Sequence, residues 1–315
     1  MMRSRILGIT LLMLIALSGH ALAARLMVVS DIHYLARPLY EDSEIFEQVL
    51  RAGDGKLTQY GEELMAGLVE TVRREAPDAL IVTGDLSFNG ERSSHAALAE
   101  WFSAIEETGV PVWVIPGNHD INVAAPHAFS RYGWTDAPGV DEAEFAEIYS
   151  DFLGDGAGET GFSYAVQVGT DLTVALVDVA WYRDSAQVFG LFTDAHAQWL
   201  KGILDESGGR RVITASHHSL VAHTSFSRDS YLMFGHEPML AILKEYGVPL
   251  HLSGHLHVQH VAREGDLTDA ALGAFCSWPH RYAIVTTSDE GPVEYEAKAL
   301  SDEVLPEGLA ELSEE

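Results

Sequence analysis

Five short apolar runs along the chain each end in a cluster of polar residues. They are Leu26–Ser30, Ala79–Thr83, Val110–Ile115, Arg211–Ala215 and Val248–Leu252. Short runs this rich in apolar residues predict strands buried on both faces. Between them, apolar positions recur at helical spacing. Leu64, Leu68 and Val72 place a helix within 57–75, and Leu98, Phe102 and Ile105 place one over 93–107. Further helices are expected over 141–153, from the cap Thr193 to Leu204, and over 238–246. Residues 162–168 and 172–177 read as paired strands around a Gly169-Thr170-Asp171 turn. Several short strands follow, to about Ala299. Alternating strands and helices that give way to strands predict an α/β core with a second sheet completed by the C-terminal half.

The first 23 residues follow another pattern. Arg3 and Arg5 precede an uncharged run from Ile6 to Leu17, and Ala21-Leu22-Ala23 matches a small-x-small cleavage site. This predicts a signal peptide cut after Ala23, and hence an exported protein, periplasmic or extracellular. The run is too short to span a bilayer, so no stable membrane anchor is expected after processing. Residues 24–300 are then expected to form one folded domain. Residues 301–315, with six acids and no base from Asp302 onward, read as an acidic solvated tail.

Charge narrows the partners. Lys and Arg number 19 against 47 Asp and Glu, a formal charge of −28. That excludes a nucleic-acid polymer as the main partner, since backbone binding needs a basic surface. The lone cysteine, Cys276, excludes an internal disulfide and a cysteine-based zinc cage. Histidine, at 15, is the residue that invites chemistry.

The polar clusters hold that chemistry. The five runs lead into Asp31-Ile32-His33, Gly84-Asp85, Gly117-Asn118-His119-Asp120, His217-His218 and Gly254-His255-Leu256-His257. Ligands of open α/β sheets bind beyond the carboxyl ends of strands. Asp31, His33, Asp85, Asn118, His217, His255 and His257 supply only oxygen and nitrogen, which suits Mn, Fe, Zn or Co. Seven side chains exceed one tetrahedral ion and suit two ions sharing a carboxylate. The glycines before Asp85, Asn118 and His255 are expected to let the backbone turn and approach closely.

In this order, the motifs resemble those of the calcineurin-like metallophosphoesterase superfamily, from Leu26 to about Tyr282. The resemblance implies an α/β fold of four layers, α-β-β-α, with two packed mixed sheets flanked by helices. It implies one ion on Asp31, His33, Asp85 and His257, and a second on Asp85, Asn118, His217 and His255. His218 is the lesser candidate of its pair. His119 would be the general acid. Phe88 stands where purple acid phosphatases place a metal-binding tyrosine, and Leu86–Glu91 lacks the Asp-Arg-Gly of protein Ser/Thr phosphatases. The run from Gly84 to Glu91 with Ser94-His95 is most similar to bacterial class III cyclic-nucleotide phosphodiesterase-like members. The expectation is therefore hydrolysis of small phosphodiesters, cyclic nucleotides among the candidates, by metal-hydroxide attack. A phosphomonoesterase and a metal-loaded binding protein without turnover are the alternatives. Asn89, His95, His223, Trp278 and His280 are candidates for the substrate pocket; oligomeric state is left open.

Overall fold

The computed structural model describes residues 22–53, 55–157, 160–224, 231–288, 291–306 and 309. The chain opens with β1 (Leu22–Val29), α1 (Glu44–Arg51), α2 (Gly61–Glu75), β2 (Ala79–Thr83), α3 (Arg92–Glu106) and β3 (Val112–Ile115). A small hairpin, β4 (His127–Ser130) and β5 (Gly133–Asp136), precedes α4 (Glu142–Ile148). The middle holds β6 (Tyr164–Val168), β7 (Leu172–Leu176), β8 (Ala180–Trp181), β9 (Gln187–Gly190), α5 (Asp194–Glu206) and β10 (Arg211–Ala215). Next come α6 (His236–Glu245), β11 (Leu250–Ser253), β12 (His260–Glu264) and β13 (Leu267–Ala271). β14 (Arg281–Ser288) and β15 (Glu294–Ala299) complete the order.

Two mixed sheets result. One runs β15-β14-β1-β2-β3, with β1, β2 and β3 parallel; the other runs β12-β13-β11-β10-β7-β6, with its four inner strands parallel. Side chains of a strand alternate between faces, and in inner strands such as β2, β7 and β11 both faces are buried. Met27 and Val29 of β1 pack with Leu64, Leu68, Leu98 and Phe102 of the first helical layer. Leu26 and Val28 face the opposite way and meet Val174, Leu176, Ile213 and Leu252 of the other sheet. Beyond that sheet, Ala175 and Val212 pack with Leu200 and Leu204 of α5 and Ile242 and Leu243 of α6. The expected four layers are therefore present, and they hold the two inner sets of strand ends side by side.

Thr193 caps α5 as expected: its Oγ1 accepts from the His196 amide at 3.4 Å. Four departures stand out. The helix α1 and the hairpins β4–β5 and β8–β9 have no counterpart in the sequence reading. The run over 301–315 is not wholly solvated, because Val304 and Leu305 pack on the first helical layer and Leu309 is buried there. These apolar side chains outweigh the tail's acidity over its described part. The expected leader lies outside the described residues, apart from positions 22 and 23 at the start of β1; a cut after Ala23 leaves Ala24–Val29 in the strand. Among the described residues no helix is long and apolar enough to cross a membrane.

The loop after β2 is held by a buried carboxyl. Glu91 Oε2 accepts from the Asn89 amide at 3.0 Å and from Ser94 Oγ at 3.2 Å, while Oε1 has no partner among the described residues. Burial pushes this carboxyl up to about 7 from an ordinary 4.5. The folded chain thus holds a proton that the unfolded chain has released, and stability falls as pH rises from 4.5 to 7. The effect is at most about 3 kcal/mol over that window. Glu91→Gln should flatten this part of the urea-unfolding stability profile; an unchanged slope in the variant would contradict the assignment.

Candidate metal centre

The two sheets present their functional residues from strand ends that face one another. From the first come Asp31 and His33 after β1, Asp85 after β2, and Asn118 and His119 after β3. From the second come His217 and His218 after β10, and His255 and His257 after β11. Donor atoms of Asp31, His33, Asp85 and His257 lie within 4.8 Å of one another, and so do those of His217, His218 and His255.

Asp85 lies between the two groups. Its Oδ2 is 3.5 Å from His33 Nε2, and its Oδ1 is 3.3 Å from His217 Nε2. The same Oδ1 accepts from the His119 amide at 2.9 Å. On one side, His33 Nε2 lies 3.1 Å from His257 Nε2, and His257 Nε2 lies 3.3 Å from Asp31 Oδ1. On the other, His217 Nε2 lies 3.1 Å from Asn118 Oδ1. Asp31, His33, Asp85 and His257 thus form one group and His217, His218 and His255 a second, with the Asp85 oxygens turned toward His33 of its own group and His217 of the other.

Hydrogen bonds outside the cluster set which nitrogen faces inward. His217 Nδ1–H donates to Thr83 O at 2.9 Å, which leaves the Nε2 lone pair for the centre. His218 Nε2–H donates to Val188 O at 3.0 Å, and its buried Nδ1 has no hydrogen-bond partner among the described residues. His218 therefore offers a further nitrogen to the group around His217 and His255, beyond the role the sequence reading assigned it. The Asp31 carboxylate accepts from the His255 amide at 3.1 Å, tying a loop of one sheet to a ligand of the other.

Backbone strain marks the same residues. Asp31, His33, Asp85, His255 and His257 all have positive φ, between 43° and 66°. Such conformations cost energy in non-glycine residues and cluster at functional sites. The three glycines split into two roles. Gly84 has φ +91°, and a Cβ there would come within 2.7 Å of His217 Nδ1. Gly117 and Gly254 have no such φ and serve close approach alone. A Cβ on the first would strike the Asp85 carboxylate, and one on the second would strike Ser30 Oγ.

The electrostatics fit a cation. Burial pushes the Asp85 carboxyl up, but the facing His217, His119 and His33 outweigh it and hold it well below the usual carboxylate range. Burial pulls His217 down, yet the Asp85 charge outweighs it and lifts that imidazole to about 9. Burial holds His33 and His255 well below the ordinary histidine value. His255 Nε2 is buried with no hydrogen-bond partner among the described residues. The neutral imidazoles of His33 and His255, crowded against the Asp31 and Asp85 side chains and against His217, whose raised value reflects the pull of the Asp85 charge, form a donor set that a metal ion would satisfy.

The other histidines behave differently from the sequence expectation. His95 is buried: Nε2–H donates to Asp120 O at 3.0 Å and Nδ1 accepts from Tyr149 Oη at 2.8 Å. With both nitrogens engaged it is a brace, not a pocket residue. His223 is also buried, between Asp269 at 3.5 Å and His260 Nδ1 at 3.1 Å. His280 is buried with Nδ1–H donating to Phe275 O at 2.9 Å. Of that segment only Trp278 is exposed. Asn89 is turned toward the centre by His119: its Oδ1 accepts from His119 Nδ1 at 2.8 Å, and Phe88 O lies 3.0 Å from the same nitrogen.

Lys56 escaped the sequence reading. It is half-buried, and its backbone bridges to Ser277 beside Cys276, whose amide donates to Asp31 O at 3.3 Å. Its positive charge adds to burial in lowering His33, and also lowers His119. No motif surrounds it; only the contact with 276–277 brings it to the centre.

Comparison with known proteins follows this geometry. Residues 24–259 match the family model of calcineurin-like phosphoesterases. The chain belongs to that family. It is 30% identical over 103 residues to a probable cyclic nucleotide phosphodiesterase of Synechococcus sp., covering 33% of this chain and 34% of the relative. It is 24% identical over 183 residues to a probable glycerophosphodiester phosphodiesterase of Arcobacter nitrofigilis, covering 58% and 57%. The matches thus span about a third and just over half of these curated relatives. A dimetal phosphatase of Danio rerio superposes with a TM-score of 0.61 at 15% identity, over 89% of this chain and 99% of that one. A purple acid phosphatase of Lupinus luteus superposes at 0.57 with 13% identity, over 89% and 52%. These two share the fold of this phosphoesterase.

A shared carboxylate predicts unequal consequences. Asp85→Asn should weaken both metal sites together, whereas Asn118→Ala should weaken mainly one. Metal content after dialysis, read by mass spectrometry, distinguishes them; two retained ions in Asp85→Asn would rule out the bridge.

Proposed function

We propose that this phosphoesterase is a metal-dependent phosphodiesterase for small soluble esters, with His119 as its general acid. Asp31, His33, Asp85 and His257 would hold one ion, and Asp85, Asn118, His217 and His255 the other. When bound, the ions supply charge neutralisation at the phosphoryl group and activation of water. The arrangement of His119 is the observation that carries the reading. Its Nδ1–H is held by Asn89 Oδ1 and Phe88 O, so Nε2 is the nitrogen left to carry a transferable proton. Its amide donates to Asp85, which fixes the ring beside the centre, with its centroid 4.9 Å from that of His33. A departing alkoxide needs such a proton, and a binding protein does not. Two curated relatives named for diester hydrolysis support the diester preference. The leader expected over 1–23 adds export to the proposal.

The second reading, a phosphomonoesterase, draws support from Lys56, whose charge at the centre suits a dianion. One set of assays addresses both. On bis-aryl against mono-aryl phosphates, the diester should show the higher kcat/KM; the reverse order favours the monoesterase. In His119→Ala, alkyl or nucleoside diesters should lose about 10²–10⁴-fold in rate, the usual worth of a general acid. Nitrophenyl diesters, whose leaving group departs unprotonated, should lose much less at equal metal content. Equal losses on both classes would remove His119 as the acid.

A further inference from the structure

The rim of the centre on the His218–His255 side is built from exposed apolar side chains. Val188, Tyr231 and Phe234 are 60%, 44% and 52% exposed. They are not scattered. β9 lies against His218, whose Nε2–H donates to Val188 O, and a Cβ on Gly190 would come within 2.6 Å of His218 Nδ1. The Phe234 amide donates to Gly190 O and its carbonyl accepts from the Phe192 amide, both at 2.8 Å. Met233 beside it is fully buried in the core under α5 and α6. The backbone of this wall is therefore fixed, while its side chains face solvent.

The ring geometry continues into the centre. The Tyr231 ring lies 5.8 Å from the His255 ring, tilted by 51°. The Phe234 ring meets Phe189 edge to face at 5.1 Å, and Phe189 lies 6.3 Å from Trp181. Tyr231 and Phe234 forgo the burial that the fold gives to most of its aromatic rings. Exposed aromatic and apolar side chains at the edge of a polar centre mark a binding surface. Its chemistry specifies the occupant. Aromatic faces and edges recognise flat rings. On a chain of formal charge −28, uncharged stacking adds affinity for an anionic ester that the surface field would otherwise repel.

We propose that Tyr231 and Phe234 form an aromatic platform that selects phosphoesters carrying an aryl or heteroaryl substituent, bound with its phosphoryl group at the metal centre. This rests on the phosphoesterase reading but concerns the organic half of the substrate.

Binding tests it without turnover. The Mn²⁺-loaded protein is titrated calorimetrically with phenylphosphonate and methylphosphonate, which share the anionic head and differ in the ring. The wild type should bind the phenyl compound about tenfold more tightly, in line with stacking on one or two rings. Tyr231→Ala and Phe234→Ala should reduce that preference to about twofold or less, with methylphosphonate affinity and metal content unchanged. Tyr231→Phe should keep the preference. Both alanine variants remove exposed side chains, so folding should be retained. Equal wild-type affinity for the two ligands overturns the platform, as does a parallel loss of both ligands in the variants. Self-association abolished by the same variants also overturns it, since a second copy would then be the occupant. Absence of turnover with the phenyl preference intact would reject the phosphoesterase reading and leave the platform standing.

Discussion

The Asp85 carboxylate is the point at which the two halves of the fold meet. Its oxygens lie 3.5 Å from His33 and 3.3 Å from His217, which belong to different sheets. The four-layer packing exists around that requirement: only sheets stacked face to face, with parallel inner strands ending at one rim, deliver side chains from both to one carboxylate. The core contacts of Leu26 and Val28 with Ile213 and Leu252 fix the stacking. The amide of His255 bonded to Asp31 fixes the loops. An uncompensated carboxylate at full burial is costly, so the surrounding imidazoles, and a cation when bound, are part of what makes the site foldable.

The same constraint explains the local strain. Five of the seven sequence-predicted ligands hold positive φ, and two neighbouring glycines cannot accept a Cβ because a carboxylate or a serine hydroxyl occupies that space. Strain of this kind persists where surrounding structure over-determines it. Here it is over-determined by ladder bonds that continue past the strands: Asp31 N to Gly84 O at 3.1 Å, and His33 N to Asp85 O at 2.9 Å. Asp120 adds a clamp. Its carboxylate accepts from the amides of Leu86, Ser87 and Gly117, joining the loops after β2 and β3.

Much of this was legible in the residues. Strands buried on both faces show as apolar runs, and polar ligands at their ends interrupt those runs abruptly. That contrast marked Ala79–Thr83 and Arg211–Ala215 with their true bounds. Short elements were not legible. β8 has only two residues and leaves no periodic trace; α1 carries one in Ile45, Phe46, Val49 and Leu50, but over only eight residues. Burial of single histidines was not legible either. His95, His223 and His280 look like pocket residues until Tyr149, Asp269 and Phe275 are seen to hold them. Lys56 and the aromatic rim are brought to the centre by tertiary contacts between distant segments, which leave no local signature.

The central claim is that one carboxylate would be shared by two metal ions, each held by residues of both sheets. Anomalous diffraction from crystals of the metal-loaded protein tests it directly. The account predicts two peaks per chain on either side of Asp85, one among Asp31, His33 and His257 and the other among Asn118, His217 and His255. A single peak at full loading, or two peaks of which one does not contact Asp85, would contradict it.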